Sequence, residues 1–292
     1  MHRAWNIWLA GGDLRQRKLA GLLARDGHAV HTWAMEQGER SGEEKKREEE
    51  DLSGLGEADL LILPLPVLNG EGELNAPLSA KRHRAEELFP YLETGTVLCG
   101  GLMSEKLREQ AEEKGLFVMD YYERPELAML NALPTAEGAI QIAMEELPIT
   151  LCGARVLVVG CGRIGKLLAQ QLRGLGAKVT VAARKYEQLA WAEVHGMESE
   201  HIYQWDGYLC GYDLVVNTAP GMVLGVEELA GLKEGCLVID LASRPGGVDR
   251  AAAERLGVKV IWALSLPGRM SPTTAADAIR TAIYNFMREQ EA

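Results

Sequence analysis

Three glycines spaced Gly160-x-Gly162-x-x-Gly165 and two bases, Arg184 and Lys185, about 20 residues further on, have the types and spacing for phosphate chemistry. The first glycine permits a tight turn, the second lets the backbone approach a pyrophosphate, and the third lets a helix pack close to the preceding strand. Backbone N–H groups of Arg163 and Ile164, at the positive end of that helix, can then hold phosphate oxygens. A site for an unphosphorylated dinucleotide ends its second strand in an acid that accepts from the ribose 2′-hydroxyl. Here the corresponding positions are Ala182, Ala183, Arg184 and Lys185, and no acid occurs before Glu187. Arg184 can pair with a 2′-phosphate through its guanidinium fork, and Lys185 can add a point charge. The expected cofactor is therefore NADP(H), the competing reading being that both bases only solvate a loop.

The elements that must position these residues are legible around them. Residues 156–159 are an apolar run, three of the four β-branched, the pattern of a parallel strand buried on both faces. A helix is expected from about Ile164 to Leu175, stopping at Gly176, and a second strand over 179–182. Two later segments, 213–220 and 237–249, read as buried strands that end in polar or glycine-rich turns. Ligands of open α/β sheets bind beyond the carboxyl ends of the strands, so Thr218, Ala219, Pro220, Ala242 and Ser243 are expected to face the nicotinamide half of the cofactor. Arg244 is the candidate for holding a substrate carboxylate, because Pro245-Gly246-Gly247 allows a sharp turn beside it.

The remainder implies a second α/β domain. Strands at 5–10, 29–33, 60–63, 96–99 and 116–119 alternate with helices at 14–25, 81–89 and 104–114, which implies a doubly wound parallel sheet. The fold class is thus α/β, with two doubly wound parallel-sheet domains, the second a Rossmann NADP-binding domain. The expected division is a flavodoxin-like domain at 1–133, an interdomain crossover helix at 134–150 capped by Thr135, and the Rossmann domain at 151–271. A C-terminal amphipathic helix at 272–292 is expected to pack back on the first domain.

Composition narrows the function classes. The 292 residues carry a net charge of −11, which argues against a nucleic-acid partner. No apolar run reaches the roughly 18 residues of a membrane span, and the first residues lack a signal-peptide core, so a cytoplasmic protein is expected. Five cysteines without CxxC spacing indicate neither a disulfide framework nor a zinc site, and the histidines lack metal-ligand spacing. Cys161, inside the glycine turn, reads as a small tolerated residue. The acid-rich run at 43–51 reads as a solvated helix or loop with i,i+4 pairs, and the tryptophans as core or interface.

The layout and the ASRPGGVD turn at 242–249 resemble the D-2-hydroxyacid dehydrogenases, in which an arginine after the same strand binds the substrate carboxylate. Those enzymes carry a late catalytic histidine, whereas the last histidine here is His201 and the segment 262–272 has none, which counts against hydroxyl oxidation with a histidine base. Over almost the whole chain, GGDLRQ (11–16), NGEGELNAPLS (69–79), NALPTAEGAIQIAM (131–144), DLASRPGGVD (240–249) and LSLPGRMSPTTAADAI (264–279) resemble the family of dipicolinate synthase A subunits. That resemblance implies oxidation of a dihydrodipicolinate-type lysine-pathway intermediate to pyridine-2,6-dicarboxylate in the mother cell of a sporulating bacterium. It also implies a flavoprotein-like partner, the B subunit of dipicolinate synthase, while a homo-oligomer is left open.

A dicarboxylate substrate calls for two cationic grips, for which Arg244 and Arg15 are the candidates, Arg15 expected to open toward an interdomain cleft. Asp13 beside it is either a proton acceptor or a helix cap. Thr135 and Glu137 are further cleft candidates at an expected helix head, Glu137 serving equally as a first-turn acid. Two alternatives remain: a reductase of another 2-oxo or imino acid, and a non-catalytic dinucleotide-binding subunit of the complex.

Overall fold

The computed structural model describes residues 4–38, 42–49, 51–204 and 209–291, so His2 and Trp205 lie outside it. The chain divides into two compact units, Met1–Asn131 with Ser271–Ala292, and Ala132–Met270. Both are parallel-sheet α/β folds.

The first unit holds strands β1 (Asn6–Ala10), β2 (Ala29–Trp33), β3 (Leu60–Ile62), β4 (Val97–Gly100) and β5 (Phe117–Asp120) in the order β2-β1-β3-β4-β5. This is the 2-1-3-4-5 order of flavodoxin-like sheets. Ile7, Leu9, Leu60 and Ile62 are fully buried, as expected of strands covered on both faces. Helix α1 (Leu14–Arg25) follows β1, and the short α2 (Gly42–Arg47) lies in the acid-rich run. That run is not merely solvated: Glu48 pairs with Thr32 at the β2 edge, and its carboxylate accepts from the Met35 N–H.

Two expected helices differ. The segment read as a helix at 81–89 is a 3-10 helix, Ala85–Tyr91, which contains Pro90 and shares i→i+3 bonds instead of α bonds. Helix α3 (Glu105–Glu113) is capped by Ser104, whose side chain accepts from the Leu107 N–H. The helix expected to begin after Pro134 begins at Pro125 as α4 (Pro125–Glu146), so Thr135 is an interior residue and no cap. Both prolines suit a first helical position, but Leu127 and Ala132 are buried ahead of Pro134, and that burial carries the helix through the one missing N–H.

The second unit orders six strands as β11-β10-β9-β6-β7-β8, the 3-2-1-4-5-6 Rossmann arrangement. They are β6 (Arg155–Val159), β7 (Lys178–Ala183), β8 (Glu198–His201), β9 (Leu214–Asn217), β10 (Leu237–Asp240) and β11 (Lys259–Trp262). Their helices are α5 (Arg163–Gly174), α6 (Tyr186–Val194), α7 (Val226–Ala230), α8 (Arg250–Leu256) and α9 (Leu266–Met270). Register sets Val159, Asn217, Asp240 and Trp262 side by side at the carboxyl edge of this sheet.

The C-terminal helix, Pro272–Glu291, returns to the first unit. Ala276, Ile279, Ala282 and Ile283 are buried in one cluster with Ile7, Leu9, Leu19 and Leu23. Arg280 pairs with Asp26 at 2.9 Å, and Arg124 with Glu289 at 2.7 Å. Among the described residues no helix is long and apolar enough to cross a membrane. Truncating Ile283→Ala should cost about 2–5 kcal/mol, read as a lowered urea midpoint, because the fully buried side chain seals this helix on α1.

Candidate functional site

The glycine turn is built by close approach. Gly160 has φ +100°, and a Cβ there would sit 2.6 Å from the Thr218 hydroxyl; at Gly165 it would lie 2.0 Å from the Gly160 carbonyl oxygen. Thr218 locks the crossing from β9, its hydroxyl donating to the Val159 carbonyl at 3.0 Å. Gly162 differs, because a Cβ there would meet nothing within 4 Å. It is also the N-cap of α5 and supplies no side-chain acceptor. The first-turn N–H groups, including those of Arg163 and Ile164, therefore face open approach at the positive end of a twelve-residue helix. These residues fit a dinucleotide pyrophosphate.

Cys161, in the middle of the turn, is buried and its thiol is pushed up by desolvation, with Lys166 pulling the other way. Its Sγ contacts the Gln188 carbonyl at 3.7 Å, a packing role. Beyond β7, Arg184 and Lys185 are exposed, and among the described residues neither has an ion-pair partner. His201 Nε2 donates to the Arg184 carbonyl at 3.0 Å, and Lys185 caps α6 through its backbone, so the main chain is held independently of the two cationic side chains.

A buried carboxylate organises the other half. Asp240, 1 % exposed, accepts from Asn217 Nδ2 at 2.8 Å, from the Ala242 N–H at 3.1 Å and from the Gly247 N–H at 2.8 Å. It thus ties together both ends of the loop that carries Ser243, Arg244 and a cis Arg244–Pro245 peptide. Asn217 Oδ1 accepts from the Ala219 N–H at 3.0 Å, which fixes the turn of Thr218, Ala219 and Pro220 to the same carboxylate. Gly247 is required by proximity, since its Cβ would stand 2.1 Å from Asn217 Nδ2, and Gly246 by its φ of +99°, with a Cβ 3.0 Å from Asp240 Oδ2. Trp262 Nε1 donates to the Ala242 carbonyl at 2.8 Å. Arg250 lies over the indole at 4.2 Å from its centroid, and Arg244 at 5.9 Å.

Known proteins share this layout. Residues 6–122 match the N-terminal domain of the dipicolinate synthase A subunit, and residues 135–255 match the NAD binding domain of the D-isomer specific 2-hydroxyacid dehydrogenases. The A subunit of dipicolinate synthase from Bacillus subtilis (strain 168) is 28% identical over 287 residues, covering 98% of this chain and 97% of its own. The crystal structure of the dipicolinate synthase A subunit from Bacillus halodurans superposes with a TM-score of 0.85 at 29% identity, covering 96% of each chain. The chain is thus similar to dipicolinate synthase A subunits over nearly its whole length. A transhydrogenase from Sinorhizobium meliloti, 18% identical with a TM-score of 0.72 over 97% of this chain and 94% of its own, shares the fold alone. The match over residues 135–255 makes the second unit an oxidoreductase-type domain for a nicotinamide dinucleotide.

Several expected site residues stand elsewhere. Arg15 is not an open grip: its Nη2 lies 2.8 Å from Asp13 Oδ2 and donates to the Leu65 carbonyl at 2.6 Å, with the side chain 11% exposed. A neighbouring acid and a carbonyl already engage its Nε and Nη2 donors. Asp13 is the N-cap of α1, accepting from the Arg15 N–H at 2.9 Å, and is fully engaged by that cap and ion pair. Thr135 and Glu137 lie inside α4, where backbone N–H groups are spent on the helix and no helix head faces an anion.

Sequence alone does not single out Asp240, Arg250 or Trp262, and the tryptophan departs from a purely core or interface role. One signal is readable: Asp240 is a lone acid ending an apolar strand, which demands buried donors. Gly165→Ala should abolish dinucleotide binding by driving α5 off the strand, checked by fluorescence titration. Asp240→Ala should lower stability by about 3 kcal/mol or more in urea unfolding, since it strands buried donors.

Proposed function

We propose that this chain, with its dipicolinate synthase partner, oxidises a dihydrodipicolinate-type intermediate to pyridine-2,6-dicarboxylate with NADP+. The observation that carries the reading is the pairing of an open glycine turn with Arg184 and Lys185, which have no ion-pair partner among the described residues, in a chain similar throughout to dipicolinate synthase A subunits. When bound, the oxidised nicotinamide ring would accept the hydride that leaves a ring carbon of the substrate. A ring proton is lost in the same conversion, and aromatisation makes it favourable. The chain's own task is then chiefly holding and orienting.

Each residue's part follows from its surroundings. Gly160, Gly162, Gly165 and the N–H groups of Arg163 and Ile164 would hold the pyrophosphate. Arg184 and Lys185 would take a 2′-phosphate, where an acid would repel it. Thr218, Ala219, Pro220, Ala242 and Ser243 form the turns beyond β9 and β10, the edge where the nicotinamide half would lie. Arg244, on a loop pinned at both ends, would grip a substrate carboxylate. A flavoprotein-like B subunit would complete the enzyme, in the cytoplasm of a sporulating mother cell. The Bacillus subtilis relative is named as one lettered component of a synthase, which supports such a partner.

Two measurements test this. Fluorescence titration should show NADPH binding more tightly than NADH, and Arg184→Ala should weaken NADPH by about tenfold or more while leaving NADH unchanged; equal affinities in the wild type would overturn the cofactor assignment. An ultraviolet assay for pyridine-2,6-dicarboxylate, with the lysine-pathway intermediate and NADP+ and run with and without the B subunit, should show product when that subunit is present. No product in either case would overturn the reaction.

A further inference from the structure

Arg250 belongs to neither the glycine turn nor the Arg244 loop, yet it shares one indole with Arg244. We infer that Arg244 and Arg250 form a paired cationic grip, arranged on Trp262, that selects a ligand carrying two carboxylates. The inference rests on the reading that a small carboxylate ligand binds at the carboxyl edge of the second unit's sheet, and it names how that ligand's second carboxylate is recognised.

Both guanidiniums are placed by rigid parts. Trp262 ends β11 in register with Asp240, and its Nε1 donates to the Ala242 carbonyl, so the ring cannot swing. Arg250 begins α8 directly after the capping residue Asp249, whose side chain accepts from the Ala252 N–H, and its guanidinium carbon stands 4.2 Å from the indole centroid. Arg244 leaves the loop that Asp240 closes, and its guanidinium carbon is 5.9 Å from the same centroid. The two guanidinium carbons are therefore separated by no more than the sum of those distances.

No acid among the described residues pairs with them. Arg244 and Arg250 are exposed, and among the described residues neither has an ion-pair partner, in a chain whose net charge is −11. Two like charges on one ring repel each other, and the electron-rich face of the indole offsets only part of that. An anion that touches both relieves it, whereas a monocarboxylate satisfies one and leaves the other. Arg15 cannot take this part, because Asp13 already neutralises it in the first unit.

Calorimetric titration of the full chain with pyridine-2,6-dicarboxylate and with pyridine-2-carboxylate, in the presence of NADPH, tests the proposal. The wild type should prefer the dicarboxylate. Arg250→Met keeps the aliphatic bulk over Trp262 without the charge; it should lose about tenfold or more of the dicarboxylate affinity while the monocarboxylate affinity barely moves. Arg250→Lys should restore part of the preference, and an unchanged thermal midpoint would show that each variant folds. A wild-type preference retained by Arg250→Met would overturn the role of Arg250 and leave the proposed function standing. Failure of the wild type to bind either acid would overturn both.

Discussion

The Asp240 carboxylate is the contact on which the carboxyl edge of the second unit depends. A carboxylate taken out of water costs several kcal/mol unless donors replace its hydration. Here those donors come from Asn217, Ala242 and Gly247, three positions on two different strand-end turns. Satisfying one charge therefore fixes two loops at once. The loop that carries Arg244 is closed at its base, and the turn that carries Thr218 is tied to it through Asn217. The surrounding glycines follow as a consequence, since a methyl group at Gly247 would collide with the Asn217 amide.

The glycine turn works by the same principle of exclusion. Gly160 and Gly165 are glycine because Thr218 and the Gly160 carbonyl leave no room for a Cβ. Gly162 alone faces open space, and its lack of a capping side chain keeps the first N–H groups of α5 available to a phosphate. One fingerprint thus contains two kinds of glycine, those that make the packing and one that leaves it open. Thr218 connects this turn to β9, so the pyrophosphate cradle and the turn beyond Asn217 share a side chain.

The first unit shows how a neighbour can cancel a promising residue. Arg15 has the chemistry of an anion grip, but Asp13 two positions earlier supplies both a helix cap and a counter-charge. The guanidinium then finds the Leu65 carbonyl and is buried. Arg244 and Arg250 have no such neighbour among the described residues, and their charges stay available. Accessibility of charge, more than its presence in a motif, separates the two kinds of arginine.

Local sequence determined the features that depend on near neighbours. The alternation of strands and helices, the Gly160–Gly165 fingerprint, the bases after β7, the Asp13 cap and the arginine ahead of Pro245 are all readable from runs of a few residues, because period, turn chemistry and capping act within one or two turns of chain. Tertiary structure decided what depends on residues far apart. Helix α4 begins at Pro125 instead of after Pro134, because burial of Leu127 and Ala132 outweighs one lost backbone bond. Arg250 joins Arg244 only because parallel pairing of β10 with β11 sets Trp262 beside Asp240. Strand register brings those side chains together, and register is set by the whole sheet and not by any single segment.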